Sequence, residues 1–349
     1  MIETYAAIAM QLTARSVENC ADQAAVRAQV LTQAGDIESQ IRSAAIFVEQ
    51  YTGLPVRLAV LPEYLFTSYP GRISVADFAA RVAFDIDGPE YAAIGAMAER
   101  LGLYLAANAY ERDAHFPGLY FQASTIFAPD GSLVLRYRRL NSMFAPTPHD
   151  VWDRYLEIYG IEGVFPVADT PIGKLAAIAS EEILYPEIAR AHALRGAEVF
   201  VHSSSEIGSP LATPKAIAKR ARAGENMAYV VSANTAGIAG TSMPLASADG
   251  NSLVVDWKGN VLAESNSGET FTAFGAVDLA ALRAARRAPG MNNFLARQRT
   301  ALFAAGYPGE SHQQANGLIQ GNDLIVPDRD YFRRTAQSTI ARLEKDGLI

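Results

Sequence analysis

Ser180 is the residue whose position most clearly suggests chemistry. It follows an apolar run at residues 174–179 that predicts a buried strand, and Pro186 a few residues later can open a helix. A hydroxyl at such a strand-to-helix turn is exposed at the end of a sheet. The backbone N–H of Glu181, at the start of the turn, is placed to stabilise developing negative charge. The segment therefore predicts a nucleophile at residue 180 with an oxyanion-binding N–H beside it.

Two charged side chains also follow predicted strands. Glu63 comes after the strand predicted at residues 56–61, and Arg139 after the strand predicted at residues 132–137. Binding sites in open α/β sheets form at the carboxyl ends of strands, so Glu63 is a candidate site residue. Arg139 can stabilise an oxyanion or bind a substrate carboxylate, but a guanidinium cannot take up and release a proton. The alternative for each is a solvated surface side chain.

These segments together resemble the nitrilase superfamily of carbon–nitrogen hydrolases. The resemblance rests on Leu-Pro-Glu63-Tyr, Tyr-Arg-Arg139-Leu and the Tyr-Pro-Glu187 that follows Ser180. That family has glutamate, lysine and cysteine at the positions of Glu63, Arg139 and Ser180, so two of the three catalytic side chains differ here. The resemblance implies cleavage of a small amide, nitrile or carbamoyl compound through an acyl-enzyme, with no cofactor. Glu63 would be the base, residue 180 the nucleophile and Arg139 the charge stabiliser.

Serine at position 180 leaves the activity open. A cysteine reacts as a thiolate, whose reference pKa is about 8.5, whereas a serine hydroxyl usually needs a histidine oriented by a carboxylate. The neighbours Ala179 and Glu181 also differ from the G-x-S-x-G pattern of serine hydrolases, which disfavours an efficient serine hydrolase. Two interpretations remain: an engineered replacement of the nucleophile in an active amidase, or a natural non-hydrolytic protein that binds an amide ligand or partner.

The order of predicted strands and helices indicates an α/β protein. Apolar residues at three- and four-residue steps predict a helix over residues 22–50, and a Pro-Asp-Gly131 turn predicts a hairpin. Two α/β halves can pack as layers, and the resemblance implies an αββα four-layer sandwich. We expect a carbon–nitrogen hydrolase domain at residues 1–288 and a C-terminal extension at residues 289–349. The extension is expected at the interface of a homo-oligomer, a dimer or larger.

A second acidic residue usually lines the pocket of this family, between the lysine and cysteine positions. The corresponding segment, residues 141–163, is predicted to be a long loop. It offers Asp150, Asp153 and Glu157, and Asp150 is preferred for substrate binding, although the spacing alone does not choose among them. The segment from His202 to Glu206 follows another predicted strand and is a candidate for the pocket wall.

Composition excludes several classes of function. With 30 Lys and Arg against 37 Asp and Glu, the formal net charge of −7 argues against non-specific binding to nucleic acid or to an anionic membrane. The single cysteine, Cys20, rules out an intrachain disulfide and a multi-cysteine metal site. The five histidines lack zinc-ligand spacing, so no metal is expected. Neither a signal peptide nor a membrane span is predicted, which favours a cytoplasmic location.

Overall fold

The computed structural model describes residues 4–206, 213–307 and 312–349. Its strands are β1 (Tyr5–Gln11), β2 (Thr13–Arg15), β3 (Val56–Val60), β4 (Phe84–Asp85), β5 (Tyr104–Arg112), β6 (Phe121–Phe127), β7 (Leu133–Arg138), β8 (Ala168–Thr170), β9 (Gly173–Ala179), β10 (Val199–Ser204), β11 (Tyr229–Asn234), β12 (Gly237–Ala239), β13 (Leu253–Val255), β14 (Val261–Glu264), β15 (Thr270–Val277), β16 (Ile319–Gln320) and β17 (Asp323–Leu324). Its helices are α1 (Gln23–Thr52), α2 (Val75–Arg81), α3 (Pro89–Leu101), α4 (Trp152–Val164), α5 (Pro186–Leu194), α6 (Pro214–Asn226), α7 (Leu279–Arg287), α8 (Thr300–Gly306) and α9 (Tyr331–Lys345).

Two large sheets face each other across a shared apolar core. The first has the strand order β15-β1-β3-β5-β6-β7, with β4 paired to β5, and the second has the order β14-β13-β11-β10-β9-β8. Leu58 of the first sheet and Val201 of the second belong to the core between them. Ile37 of α1 packs on the outer face of the first sheet, and Ala189 of α5 packs on the outer face of the second. The expected αββα sandwich is therefore confirmed.

Local sequence signals set the ends of several elements. Asp22 accepts a hydrogen bond from the backbone N–H of Ala25 at 2.9 Å and begins α1, within a residue of the predicted start. Gly131 has a φ of +82° in the hairpin between β6 and β7, a conformation that glycine adopts without strain. The prediction of a long loop at residues 141–163 was wrong, because α4 occupies its second half.

The C-terminal extension packs against its own chain. The backbone N–H groups of Asn316 and Leu318 donate to the carbonyls of His149 and Asp150, each at 2.9 Å, and Phe332 of α9 is buried. The last helix was predicted correctly at residues 331–345, whereas α8 was not predicted. A role for residues 289–349 in an oligomer interface stays a prediction.

Neither a membrane span nor a metal cluster is found in the part of the chain that the structure describes. No helix there is both long and apolar enough to cross a bilayer. Within residues 4–206, 213–307 and 312–349, no group of three or more His, Cys, Asp or Glu side chains is arranged to hold a metal ion.

Candidate active site

Ser180 lies at the junction between β9 and a single helical turn, Ser180–Leu184, that leads into α5. Its φ of +50° falls in the left-handed region, which non-glycine residues rarely adopt and which is often found at functional sites. Its side chain is 4% exposed and borders a cavity. The backbone therefore holds residue 180 in the kind of turn expected for a nucleophile.

His202 fixes the backbone of this turn. It is fully buried on β10, with Nε2 2.8 Å from the carbonyl oxygen of Ser180 and Nδ1 2.8 Å from Ser232 Oγ. Burial, followed by the charge of Lys219, holds the pKa of His202 well below its usual range, so the ring is neutral. Its Nε2–H donates to the Ser180 carbonyl. His202 therefore holds the segment Ser180–Leu184, the nucleophile turn, in place against β10.

Glu63 follows β3 and is held by two donors. Its Oε1 accepts from Gln122 Nε2 at 2.9 Å and from Arg139 Nη1 at 3.1 Å. The side chain is 3% exposed, which makes this a buried and paired carboxylate. Gln122, on β6, was not singled out from the sequence, because nothing in the sequence distinguishes a glutamine that will face a carboxylate.

Arg139, which follows β7, is a buried ion-pair partner and not a solvated arginine. Its Nη1 donates to Glu63 and, at 2.6 Å, to Gln122 Oε1, while Nη2 lies 2.6 Å from Glu181 Oε1. Nε donates to the carbonyl of Asn141 at 2.6 Å. Burial opposes the charge, but Glu63 and Glu181 outweigh it and raise the pKa of Arg139. Among the described residues, one Nη2 hydrogen is left for a ligand.

Glu182 connects the nucleophile turn, by hydrogen bonds, to the segment that contains Arg139. Its Oε1 accepts from the N–H groups of Leu140 and Asn141 at 2.7 and 2.9 Å, and Oε2 accepts from Tyr137 OH at 2.7 Å. Burial raises the pKa of Glu182 to about 7, against the lowering effect of the Arg139 charge. This residue was not predicted; its role in the structure is to link β7 to the turn.

Lys215 is the second residue of α6 and reaches the nucleophile turn. Its Nζ donates to Ser180 Oγ at 3.2 Å. The start of the helix is fixed by Thr213, whose side chain accepts from the N–H of Ala216 at 3.1 Å. The sequence predicted the helix but drew no attention to Lys215, which lies 35 residues from Ser180.

Ser180, Glu63 and Arg139 border one cavity of about 650 Å³, within the size range of small-molecule sites. Glu181 also lines the cavity. The backbone N–H of Glu63 donates to the Ser204 carbonyl at 3.3 Å, and this hydrogen bond connects the ends of the two sheets beside the cavity. The remaining lining residues are Tyr64, Tyr69, Pro70, Gly71, Tyr110, Ser142, Phe144, Ala145, Ser205, Lys215, Ile238, Met243, Ser247, Ala248 and Arg329. Concave sites elsewhere, around Trp257 and around Asp85, contain none of the predicted residues.

Asp150 does not border this cavity but lines a smaller neighbouring one of about 70 Å³, which shares Ser142 and Glu181 with it, so its role in substrate binding stays a prediction. Its Oδ2 accepts from the N–H and the hydroxyl of Thr147, both at 2.8 Å, and Tyr331 donates to Oδ1 at 3.3 Å. The carboxylate caps a short helical turn and anchors the extension. Asp153 and Glu157 are exposed on α4 and do not border the cavity. The extension instead brings Arg329 to the cavity, which the sequence did not indicate.

Comparison with known proteins gives a family. The sequence matches the carbon–nitrogen hydrolase family over residues 23–287. It is 25% identical to the omega-amidase of Bos taurus over 262 residues, covering 74% of this chain and 91% of that protein. It is 27% identical to a formamidase of Bacillus cereus over 216 residues, covering 60% of each chain.

A solved structure shares the fold. A nitrilase-superfamily protein of Saccharomyces cerevisiae superposes with a TM-score of 0.61 at 20% identity, covering 85% of this chain and 97% of that one. The family match spans most of this chain and includes Glu63, Arg139 and Ser180. The resemblance seen in the sequence is thus confirmed, and the chain belongs to the carbon–nitrogen hydrolase family of the nitrilase superfamily.

Proposed function

We propose that this protein is an amidase-type hydrolase that cleaves a small amide through an acyl-enzyme on residue 180. The observation that carries the proposal is the placement of Glu63, Arg139 and Ser180 around one cavity at the ends of two sheets. Relatives named omega-amidase and formamidase support an amide over a nitrile as the substrate.

The arrangement supports acyl transfer step by step. Ser180 Oγ attacks the carbonyl carbon, and the oxygen that becomes negative is stabilised by the free Nη2 hydrogen of Arg139 and the N–H of Glu181. The proton of the Ser180 hydroxyl passes to the leaving nitrogen, the C–N bond breaks, ammonia departs, and an ester remains on Oγ. Glu63 acts as general base for the water that hydrolyses this ester. Each step uses side chains and one backbone N–H of this chain and calls for no cofactor.

A second candidate is a protein that binds an amide without cleaving it. The observation in its favour is the engagement of Glu63 with Arg139 and Gln122, whereas the hydrogen bond of Ser180 Oγ in the structure is with Lys215. A serine hydroxyl without a base is a poor nucleophile. The two candidates differ in whether bound amide is turned over.

Ser180→Cys is expected to raise or restore amide hydrolysis, because a thiol is far easier to ionise than a hydroxyl. Ammonia released from a panel of simple amides, carbamoyl compounds and nitriles measures the effect. Ser180→Ala, which keeps a similar volume but has no nucleophile, is the matched control. If the folded Ser180→Cys protein releases no ammonia from any compound of the panel, the non-hydrolytic binding protein becomes the better candidate.

We also propose that the protein forms a homo-oligomer. Leu184, Tyr185, Leu194 and Ile217 are exposed on the nucleophile turn, α5 and α6, and apolar side chains of this kind are often buried between subunits. Sedimentation velocity at micromolar concentration is expected to show a dimer or larger, and Ile217→Glu is expected to dissociate it. Ile46→Glu, at an exposed isoleucine on α1, should leave the assembly intact. A monomeric wild-type protein contradicts the prediction.

A further inference from the structure

Lys215 is the charged group in contact with the candidate nucleophile. Its Nζ lies 3.2 Å from Ser180 Oγ, and it borders the same cavity as Glu63 and Arg139. The helix start that carries it is fixed by the Thr213 cap. The side chain is half-buried, so the contact is partly shielded from water.

Other candidates for activating Ser180 lack a contact with its hydroxyl. The hydrogen bonds that the structure gives the Glu63 side chain are on Oε1, from Gln122 and Arg139, and in the described part of the chain that side chain makes none with Ser180 Oγ. Arg139 is permanently charged and has no lone pair to accept a proton. The imidazole of His202 is occupied at both nitrogens, by the Ser180 carbonyl and by Ser232. Among the residues that the structure describes, Lys215 combines a direct contact with Oγ and, when neutral, a lone pair that can accept its proton.

We propose that Lys215 is the catalytic base that takes the proton of Ser180, so that this chain uses a serine–lysine pair where its family uses a cysteine. The inference rests on the proposed amidase function and assigns the proton transfer that this function leaves open. Serine–lysine pairs are a known alternative to the serine–histidine pair. Lysine suits the role because a neutral amine has a lone pair that can accept a proton, whereas a guanidinium has none to offer.

The proton transfers balance. The neutral amine of Lys215 accepts the Ser180 hydroxyl proton as Oγ bonds to the amide carbon. The resulting ammonium gives that proton to the leaving nitrogen, the C–N bond breaks and ammonia departs. Water then adds to the ester carbon with Glu63 accepting its proton, the C–Oγ bond breaks, and the proton taken up by Glu63 returns to Oγ. Lys215 and Glu63 therefore serve different halves of the cycle.

Two substitutions of Lys215 distinguish a role as a proton acceptor from a role as a positive charge. Lys215→Met removes the amine at similar length, and Lys215→Arg keeps the charge but cannot accept a proton. With Ser180 in place, both are expected to lower acylation by p-nitrophenyl acetate by ~10²-fold or more, the usual contribution of a general base. The rate is followed by p-nitrophenolate release, and acetyl transfer to Ser180 by intact mass. Lys258→Met, at an exposed turn over Trp257, is the control and should keep the wild-type rate.

The same substitutions in the Ser180→Cys protein test the role independently of folding. A thiol needs less help to ionise, so Lys215→Met is expected to cost that protein less than ~10-fold. Equal losses with serine and cysteine, or full activity of Lys215→Arg, overturn the inference.

The ester assay keeps this inference separate from the proposed function. One outcome is that Ser180→Cys cleaves amides but the wild-type protein is acetylated no faster than Ser180→Ala. The proposed amidase function is then supported, and the role of Lys215 as a base is contradicted. If neither protein cleaves any amide, the proposed function falls. Acylation of Ser180 by the activated ester, and its loss in Lys215→Met, then still decides whether the pair is chemically active.

Discussion

Arg139→Met in the Ser180→Cys protein is expected to lower kcat/KM for an amide by ~10²–10³-fold, the usual cost of losing one oxyanion donor. Methionine is closest in length to the arginine stem but carries no charge and donates no hydrogen bond. The substitution removes Nη2, the proposed oxyanion donor, and also the contacts with Glu63, Gln122 and Glu181. Steady-state ammonia release measures the loss, and thermal unfolding confirms that the variant is folded.

Arg139→Lys distinguishes charge from geometry at the same position. An ammonium is a compact point charge, whereas Arg139 uses both ends of its fork, on Glu63 and on Glu181. We therefore expect Lys to retain more activity than Met but less than Arg. If the lysine variant hydrolyses the amide as fast as the arginine protein or faster, one cationic contact is enough and the two-sided guanidinium contact is not required. If Met turns over the amide as well as Arg does, Arg139 does not act on the substrate.

The sequence predicted the site residues that lie directly after the end of a strand. Glu63, Arg139 and Ser180 each follow an apolar strand, and neighbouring strands bring such residues to one edge of a sheet. The spacing of apolar residues also predicted the ends of α1 and α9 to within two residues, whereas the αββα layers were implied by the family resemblance. It also placed the candidate nucleophile in a turn that the structure shows with a positive φ.

The contacts that the sequence did not predict depend on packing between distant segments. Lys215 reaches Ser180 only because α6 packs beside the nucleophile turn, which no local pattern encodes. Asp150 was preferred as a loop carboxylate, but the structure uses it for capping at Thr147 and for holding Tyr331. A capping carboxylate and a ligand-binding carboxylate look alike in sequence, because both are short acidic side chains at a chain reversal.

Arg138, the residue before Arg139, is held by a separate buried ion-pair network. It is 2% exposed, with Nε 2.8 Å from Glu111 Oε1 and Nη1 2.7 Å from Asp113 Oδ2. Glu111 is fully buried and also receives Tyr91 OH at 2.8 Å and Arg136 Nε at 3.1 Å. The end of β7 is therefore fixed by Arg138 on one side, while Arg139 reaches the cavity on the other.

Glu111→Ala is expected to lower the free energy of unfolding by about 3–5 kcal/mol, because removing one partner leaves the guanidinium of Arg138 buried with part of its charge uncompensated. Urea denaturation with an unchanged slope measures the loss. Glu99→Ala, at an exposed glutamate of α3, is the matched control and should change stability by less than about 0.5 kcal/mol.

Glu111→Gln connects this network to the site. Glutamine keeps the size and one acceptor oxygen but removes the negative charge, so the loss in stability should be smaller than with alanine. Because the same strand end positions Arg139, the folded glutamine variant in the Ser180→Cys background is also expected to lose amide hydrolysis, through kcat more than KM. Full activity of that variant, despite reduced stability, would show that Arg139 is positioned by Glu63, Gln122 and Glu181 alone.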